Sequence, residues 1–159
     1  MPSGREFITH EFDEAIAIQQ SIIDAGTTLS TSHPVAAVQR QLKADLKVDQ
    51  QHLSKLKQLG KPFGATGKRE EVAEALGSLA DETSQKAGSE ESEAYEAHAV
   101  LLNLKRKQQD SADAMVKIAR DRKDTEIRDA GMKMKKDTKA SADALAKSLA
   151  EFAVRIAAA

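Results

Sequence analysis

The sequence of 159 residues contains no cysteine and no tryptophan, and aromatic residues make up only 3% of it. Without cysteine the chain has no disulfide, no thiolate zinc site and no cysteine nucleophile. Aromatic strand-forming residues are scarce, whereas alanine and the straight-chain residues, which lose little side-chain entropy in a helix, are abundant. The composition therefore predicts an all-α protein.

An excess of one charge and long hydrophobic runs are also missing. The 24 basic and 25 acidic residues leave a formal net charge of −1, whereas general nucleic-acid binders carry a marked basic excess. No apolar run approaches the roughly 20 residues of a membrane span, and the first nine residues lack the features of a signal peptide. We therefore expect a soluble, cytoplasmic protein with no transmembrane segment and no nucleic-acid partner.

Four polar or glycine-bearing breaks divide the chain. Three are rich in turn-forming residues, at positions 26–34, 60–67 and 88–91. Pro34 suits the first turn of a new helix, and Ser89 or Ser92 is a candidate N-cap. The fourth break, at 120–125, is fully polar, and Asp124 or Thr125 is expected to cap the helix that follows.

Between the breaks, apolar residues recur at steps of three and four. This spacing predicts four long helices, at about residues 6–25, 34–59, 92–119 and from 125 onward, each with one apolar stripe. A short helix carries its stripe at Val72, Ala75, Leu76 and Leu79. The economical way to bury four such stripes is an antiparallel four-helix bundle. We expect a single domain over residues 1–159, with the short helix in the crossover between helices two and three.

Polar residues that interrupt these stripes are the candidates for function, since a buried polar group is costly unless it is paired or liganded. In helix two, Asp49 falls where an apolar residue is expected, and His52 lies one turn later. The two side chains share one helix edge. They can bind one metal ion together, or they can form a hydrogen-bonded pair with no metal.

Carboxylates and an amide interrupt the other long helices. Glu11 lies near the middle of the stripe of helix one and Glu14 lies at its edge. Counting residues from the first break places Glu14 opposite Asp49. Asp137 lies at the stripe edge of helix four, level with Gln108 of helix three. The histidines His10, His33 and His98 have no partner at ligand spacing, and His33, beside Pro34, is expected to be solvated.

The order of these residues resembles the ferritin-like superfamily. Its di-iron members use Glu, then Glu-x-x-His, then Glu, then Glu-x-x-His from four helices. Here the order is Glu14, then Asp49-Gln-Gln-His52, then Gln108, then Asp137. The small helix after the second long one is similar to the YciE/YciF group of bacterial stress-linked proteins. The resemblance implies a ferritin-like fold and a role in stress.

Departures from the family pattern weaken the implied di-iron centre. Gln108 is a poor iron ligand where a carboxylate is expected, and Ala140 stands in place of the second histidine. We therefore expect either no cofactor or one weakly held Fe, Mn or Zn ion, with ligands drawn from Glu11, Glu14, Asp49, His52 and Asp137. No catalytic residue is predicted, and whether the protein is an enzyme stays open.

Three functions remain as alternatives. The first is a non-catalytic or weakly metal-binding ferritin-like bundle, the second is a functional iron-binding or divalent-metal-binding member, and the third is an amphipathic coat protein of the phasin type. The tail from Leu149 to Ala159 is more apolar than the end of a helix requires. It therefore predicts a homo-oligomer, or a protein partner that binds the C-terminal helix.

Overall fold

The structure, a computed structural model, describes residues 3–159, which form five α-helices and one short 3₁₀ helix without a strand. The helices are α1 (Gly4–Ser32), α2 (Ala36–Gly60), α3 (Glu71–Lys86), α4 (Glu91–Asp121) and α5 (Thr125–Ala157), and the 3₁₀ turn is Lys61–Phe63. The prediction of an all-α protein is confirmed. Over the part of the chain that is described, no helix is both long and apolar enough to cross a membrane.

The four long helices contact one another in a closed circuit. α1 packs against α2 and α4, and α5 packs against α4 and α2. Hydrogen bonds fix the antiparallel direction of α1 and α2, since Arg5 at the start of α1 donates to the Pro62 carbonyl just after α2. The short helix α3 lies outside this circuit, against α1 and α4.

The first predicted break is shorter than expected, because α1 continues through Gly26 to Ser32. Gly26 is buried, and an added Cβ there would lie 3.5 Å from Leu46. The serine and threonine hydroxyls that follow donate to helix carbonyls three or four residues earlier, which keeps these polar groups paired within the helix. The helix ends only at His33, where the backbone becomes extended.

Two further helix ends test the predicted caps. Asp124 is the N-cap of α5, and its carboxylate accepts from the Ile127 N–H as expected. Ser89 does not cap α4, because its hydroxyl donates to the Lys86 carbonyl at the end of α3. The N-cap of α4 is Glu90, whose side chain makes no capping hydrogen bond.

The hydrophobic core is divided into two clusters along the helices. One contains Ile18, Leu42, Leu101, Leu145 and Phe152 among others, and the second contains Phe12, Leu56, Met115 and Met134 among others. On α2, α4 and α5 the residues between the two clusters in sequence include buried polar side chains, namely Asp49, Gln108 and Thr138. On α1 the clusters adjoin at Ile16 and Ala17, and Gln19 is buried just beyond. The polar interruptions in the stripes therefore correspond to a polar layer between two apolar layers.

The crossover loop before α3 is held by Asp13, a buried residue of α1. One oxygen of its carboxylate accepts from the backbone N–H groups of Thr66 at 2.7 Å and Gly67 at 2.9 Å. Gly67 has a φ of +79°, and a Cβ at this position would lie 2.6 Å from Ile16. The loop therefore needs both the carboxylate and the absence of a side chain at position 67.

Replacing Gly67 with alanine is expected to lower the free energy of unfolding by about 2–3 kcal/mol, because it adds both left-handed strain and a clash with Ile16. The matched control is Gly64→Ala, since Gly64 has a φ of +78° but nothing within 4 Å of the added Cβ. That variant is expected to lose only about 1 kcal/mol. Chemical denaturation of both variants measures the difference, and equal losses would contradict the proposed close contact.

Candidate functional site

The polar layer is formed by eight side chains from all four long helices. They are Gln19 of α1, Asp45, Asp49 and His52 of α2, Lys105 and Gln108 of α4, and Asp137 and Ser141 of α5. Most are held within their stripes by helical spacing, so that adjacent members on one helix lie three or four residues apart. The layer brings together five buried polar side chains, Gln19, Asp49, His52, Lys105 and Gln108, and is the candidate functional site.

Lys105 is at the centre of the layer. The residue is only 1% exposed, and its ammonium group makes three contacts, with Asp45 Oδ2 at 3.3 Å, Asp49 Oδ2 at 3.3 Å and the Ser141 hydroxyl. The same hydroxyl donates to Asp45 Oδ2 at 2.7 Å. An ammonium group has three N–H donors and no acceptor, so each of its donors has a partner.

The electrostatic environment of Asp49 depends on this lysine. Burial raises the pKa of the Asp49 carboxyl above its ordinary value, Lys105 opposes the rise, and the neighbouring Asp45 carboxylate adds to it. Gln19 Nε2 also donates to the Asp49 backbone carbonyl at 2.9 Å. The carboxylate is therefore stabilised in its charged form mainly by the ammonium group of Lys105.

His52 and Asp137 meet across the boundary between α2 and α5. His52 Nε2 lies 3.0 Å from Asp137 Oδ2, but among residues 3–159 this nitrogen has no partner with hydrogen-bond geometry. Burial lowers the pKa of His52, although Asp137 opposes this effect. The pKa of Asp137 is lowered despite its partial burial, because Lys133 donates a hydrogen bond to it and adds positive charge.

Two glutamine side chains connect three helices within the layer. Gln108 Nε2 of α4 donates to the Ala15 carbonyl at 2.8 Å and to Gln19 Oε1 at 3.0 Å. Gln19 in turn donates to the Asp49 carbonyl on α2. Gln108 Oε1 has no partner. This chain of hydrogen bonds needs an amide N–H at position 108, because both neighbouring atoms are acceptors.

The carboxylates of α1 do not contact Asp49. Glu14 pairs with Lys107 of α4, and its second oxygen lies 3.9 Å from His10. Glu11 lines a small pocket near the N-terminus of α1, together with Phe12, Phe63 and Arg122. Burial raises the pKa of Glu11, and the nearby Glu14 adds to the rise. Of the five predicted metal ligands, the structure brings only His52 and Asp137 into contact with each other.

The side chains of the layer do not fit the two-metal centre that the resemblance implies. Asp49 faces the ammonium group of Lys105, Glu14 faces that of Lys107, and the amide of Gln108 uses its N–H groups on protein acceptors. A cation placed beside Asp49 would lie next to another buried positive charge. Within residues 3–159, no group of three or more His, Asp or Glu side chains is arranged to hold a metal ion.

Lys105 is the central residue that sequence reasoning missed. It lies in the run Lys105-Arg106-Lys107, a pattern typical of a solvated basic face. A signal was nevertheless present, since the apolar stripe of this helix continues as Leu101, Lys105, Gln108, Ala112 and Met115, at steps of four and three. Asp45 and Gln19 were missed as well, and only their contacts in three dimensions connect them to the layer.

Comparison with known proteins adds no family assignment: the sequence matches no protein-family model, and no curated protein shows significant similarity to it.

Proposed function

We propose that this protein is a non-catalytic helical bundle of the ferritin-like type, in which a lysine ammonium group takes the central position that metal ions take in the di-iron members. The observation that supports this proposal is the set of three contacts between Lys105 and Asp45, Asp49 and Ser141. Through these contacts Lys105 supplies the positive charge that the buried carboxylates need, without an ion from solution. The bundle then folds without metal and acts through its surface.

The circuit of contacts among α1, α2, α5 and α4 supports the ferritin-like part of the proposal, as does the position of α3 between α2 and α4 in the chain.

A protein partner or a second copy of the chain is part of the same proposal. The last turns of α5 expose Val154, with 69% of its surface accessible, while Phe152 on the same helix is buried. We assign the predicted protein partner, or second copy of the chain, to this exposed side of α5.

A second candidate function is weak binding of one divalent ion at His52 and Asp137. The observation that favours it is the unpaired Nε2 of His52, a buried nitrogen 3.0 Å from a carboxylate oxygen. Neutral imidazole and carboxylate together suit Fe, Mn or Zn. Lys133, which donates to the same oxygen of Asp137, competes with such an ion.

Metal titration of chelator-treated protein distinguishes the two candidates. A site with a dissociation constant of about 10 μM would stabilise the fold by about 2.7 kcal/mol at roughly 1 mM metal, which corresponds to a rise of ~5–10 °C in melting temperature for a chain of this size. We expect no such rise with ferrous iron, Mn²⁺ or Zn²⁺, and no rapid oxidation of ferrous iron in air.

The control for this experiment is the His52→Ala variant. A rise in melting temperature that disappears in this variant would favour the second candidate over the first. Stoichiometric binding of two irons with fast oxidation would contradict the proposal that the bundle is non-catalytic.

A further inference from the structure

Two buried histidines, His33 and His98, lie outside the polar layer. His33 lies at the C-terminal end of α1, and His98 lies where α4 contacts the C-terminal half of α5. His33 follows the last residue of α1, His98 belongs to α4, and each is only 1% exposed. Their nearest ring nitrogens, His33 Nε2 and His98 Nδ1, are 3.1 Å apart. The ring of His33 also packs on Phe152 of α5, with 4.8 Å between the ring centroids. The expectation that His33 is solvated is therefore wrong, because the extended backbone after α1 turns its ring into the core.

The partners of the two rings determine where the protons are. The Val35 N–H donates to His33 Nδ1 at 3.1 Å, so that nitrogen carries no proton and Nε2 of the neutral ring does. His33 Nε2–H then donates to His98 Nδ1, and His98 Nε2–H donates to the Leu145 carbonyl at 2.9 Å. If Nδ1 carried the proton on both rings, the N–H groups of Val35 and His33 would face each other. The unprotonated Nε2 of His98 would then face the Leu145 carbonyl oxygen.

This arrangement has no place for an additional proton. A proton on His33 Nδ1 would face the Val35 N–H, and a proton on His98 Nδ1 would face the N–H of His33. Either event breaks a hydrogen bond and leaves a positive charge in the core. Burial is the main reason why the pKa of His33 is lowered, to about 4, with smaller effects from His98 and Arg155. Burial also lowers the pKa of His98.

The charged groups around the pair do not compensate a proton on either ring. On α5, Arg155 is positive and pairs with Glu91 of α4. Glu151 of α5 is exposed and lines a groove with Val35 and Phe152. The α2 residues that line the same groove, Ala37, Val38 and Gln41, are uncharged.

We propose that the His33–His98 pair is an acid-sensitive clasp, which holds the last turns of α5 (residues 145–157) against α1 and α4 and releases them when either ring is protonated. The pair contacts this segment at the Leu145 carbonyl, at the Phe152 ring and, at 3.4 Å, at the Ser148 hydroxyl. The other polar attachment of the segment is the exposed ion pair of Arg155 with Glu91, which contributes little.

The direction of the pH effect follows from the lowered pKa values. A histidine whose folded-state pKa lies below its unfolded value of 6.5 contributes its full stabilisation above that pH. The contribution is lost as the pH falls through the folded-state value, about 4 for His33. Within this window, each titrating histidine lowers the equilibrium constant for clasp closure by up to about tenfold for each unit by which the pH falls.

Tyr95 provides a natural probe, because the chain has one tyrosine and no tryptophan. Its ring lies 6.3 Å from that of Phe152, so its fluorescence reports on the released segment. In a titration from pH 8 to 4, we expect a change in Tyr95 emission with a midpoint between pH 6.5 and 4. Far-UV circular dichroism should lose no more helix than the last turns of α5.

The decisive variant is His33→Asn/His98→Gln, which keeps an acceptor for Val35 and a donor for Leu145 but removes both titrating rings. We expect it to lose the emission change, whereas His10→Gln, at a half-exposed histidine of α1, should keep it. An unchanged midpoint in the double variant would contradict the clasp. If the double variant does not fold, NMR of the wild-type imidazoles tests the same proposal. Both rings should be Nε2–H tautomers that stay neutral at pH 6, and a ring that titrates near 6.5 would contradict it.

Discussion

Replacing Lys105 with methionine is expected to lower the free energy of unfolding by about 3–5 kcal/mol at neutral pH, because it leaves buried carboxylates without their cation. Methionine is close to lysine in shape, so the loss reports the charge rather than a cavity. Asp49 is affected most, since it is 9% exposed and contacts the ammonium group at 3.3 Å. Urea or guanidinium denaturation measures the effect.

The pH dependence of this loss identifies the carboxylate that causes it. Burial and Asp45 already raise the pKa of Asp49, and removal of Lys105 takes away the main opposing effect. A carboxyl whose pKa is raised in the folded state contributes most to the free energy of unfolding at low pH. That contribution is lost as the pH rises through the folded-state pKa. The deficit of Lys105→Met relative to wild type should therefore shrink as the pH falls. Adding Asp49→Asn to the variant should recover much of the loss at pH 7.

Lys107→Met is the matched control, two residues along the same helix. The Lys107 side chain contacts Glu14 but is 31% exposed, against 2% for that of Lys105. Partly exposed ion pairs contribute about 0–1 kcal/mol. If the two variants lose equal stability, Lys105 is not the buried counter-ion of the polar layer and the main support for the proposed function is lost.

The sequence predicted the long helices well and the short helix poorly, for a physical reason. In α3 the predicted stripe of Val72, Ala75, Leu76 and Leu79 is not the buried face. Val72 and Leu79 are 49% and 46% exposed, whereas Ala73, Gly77, Ala80 and Ser84 are buried. A Cβ at Gly77 would lie 2.8 Å from Arg69 Cζ. Small residues permit this close packing, and hydrophobic periodicity gives them little weight.

For the candidate site, the sequence identified residues but not their partners. Asp49 and Gln108 were found because each interrupts an apolar stripe, and His52 and Asp137 because they lie at a stripe edge. All four belong to the polar layer. Counting residues from a break fixes the height of a side chain along the bundle but not the neighbour toward which it turns. Glu14 was for this reason assigned to Asp49, whereas it contacts Lys107 on α4. The His33–His98 pair was missed because its members are 65 residues apart and share no helix.

The second large effect is expected for Gln108→Glu, which places a carboxylate where the ferritin-like pattern has one. Gln108 Nε2 faces two acceptors, the Ala15 carbonyl at 2.8 Å and Gln19 Oε1 at 3.0 Å. A carboxylate at this position has no N–H to donate and repels both oxygens. The side chain is fully buried, so we expect a loss of about 3–5 kcal/mol in the free energy of unfolding at neutral pH. Gln108→Met removes the same hydrogen bonds without adding charge, and it should lose less, about 1–3 kcal/mol.

Ferrous iron provides the sharper test of the same variant. In a di-iron bundle the new carboxylate would add a ligand, and metal would then recover the lost stability. Here the nearest basic group of the layer is Lys105, three residues earlier on the same helix, whose ammonium already contacts two carboxylates. We therefore expect the melting temperature of Gln108→Glu to be the same with and without ferrous iron under anaerobic conditions. Recovery by metal in this variant, but not in Gln108→Met, would show that the polar layer can assemble a metal site and that Lys105 does not prevent it.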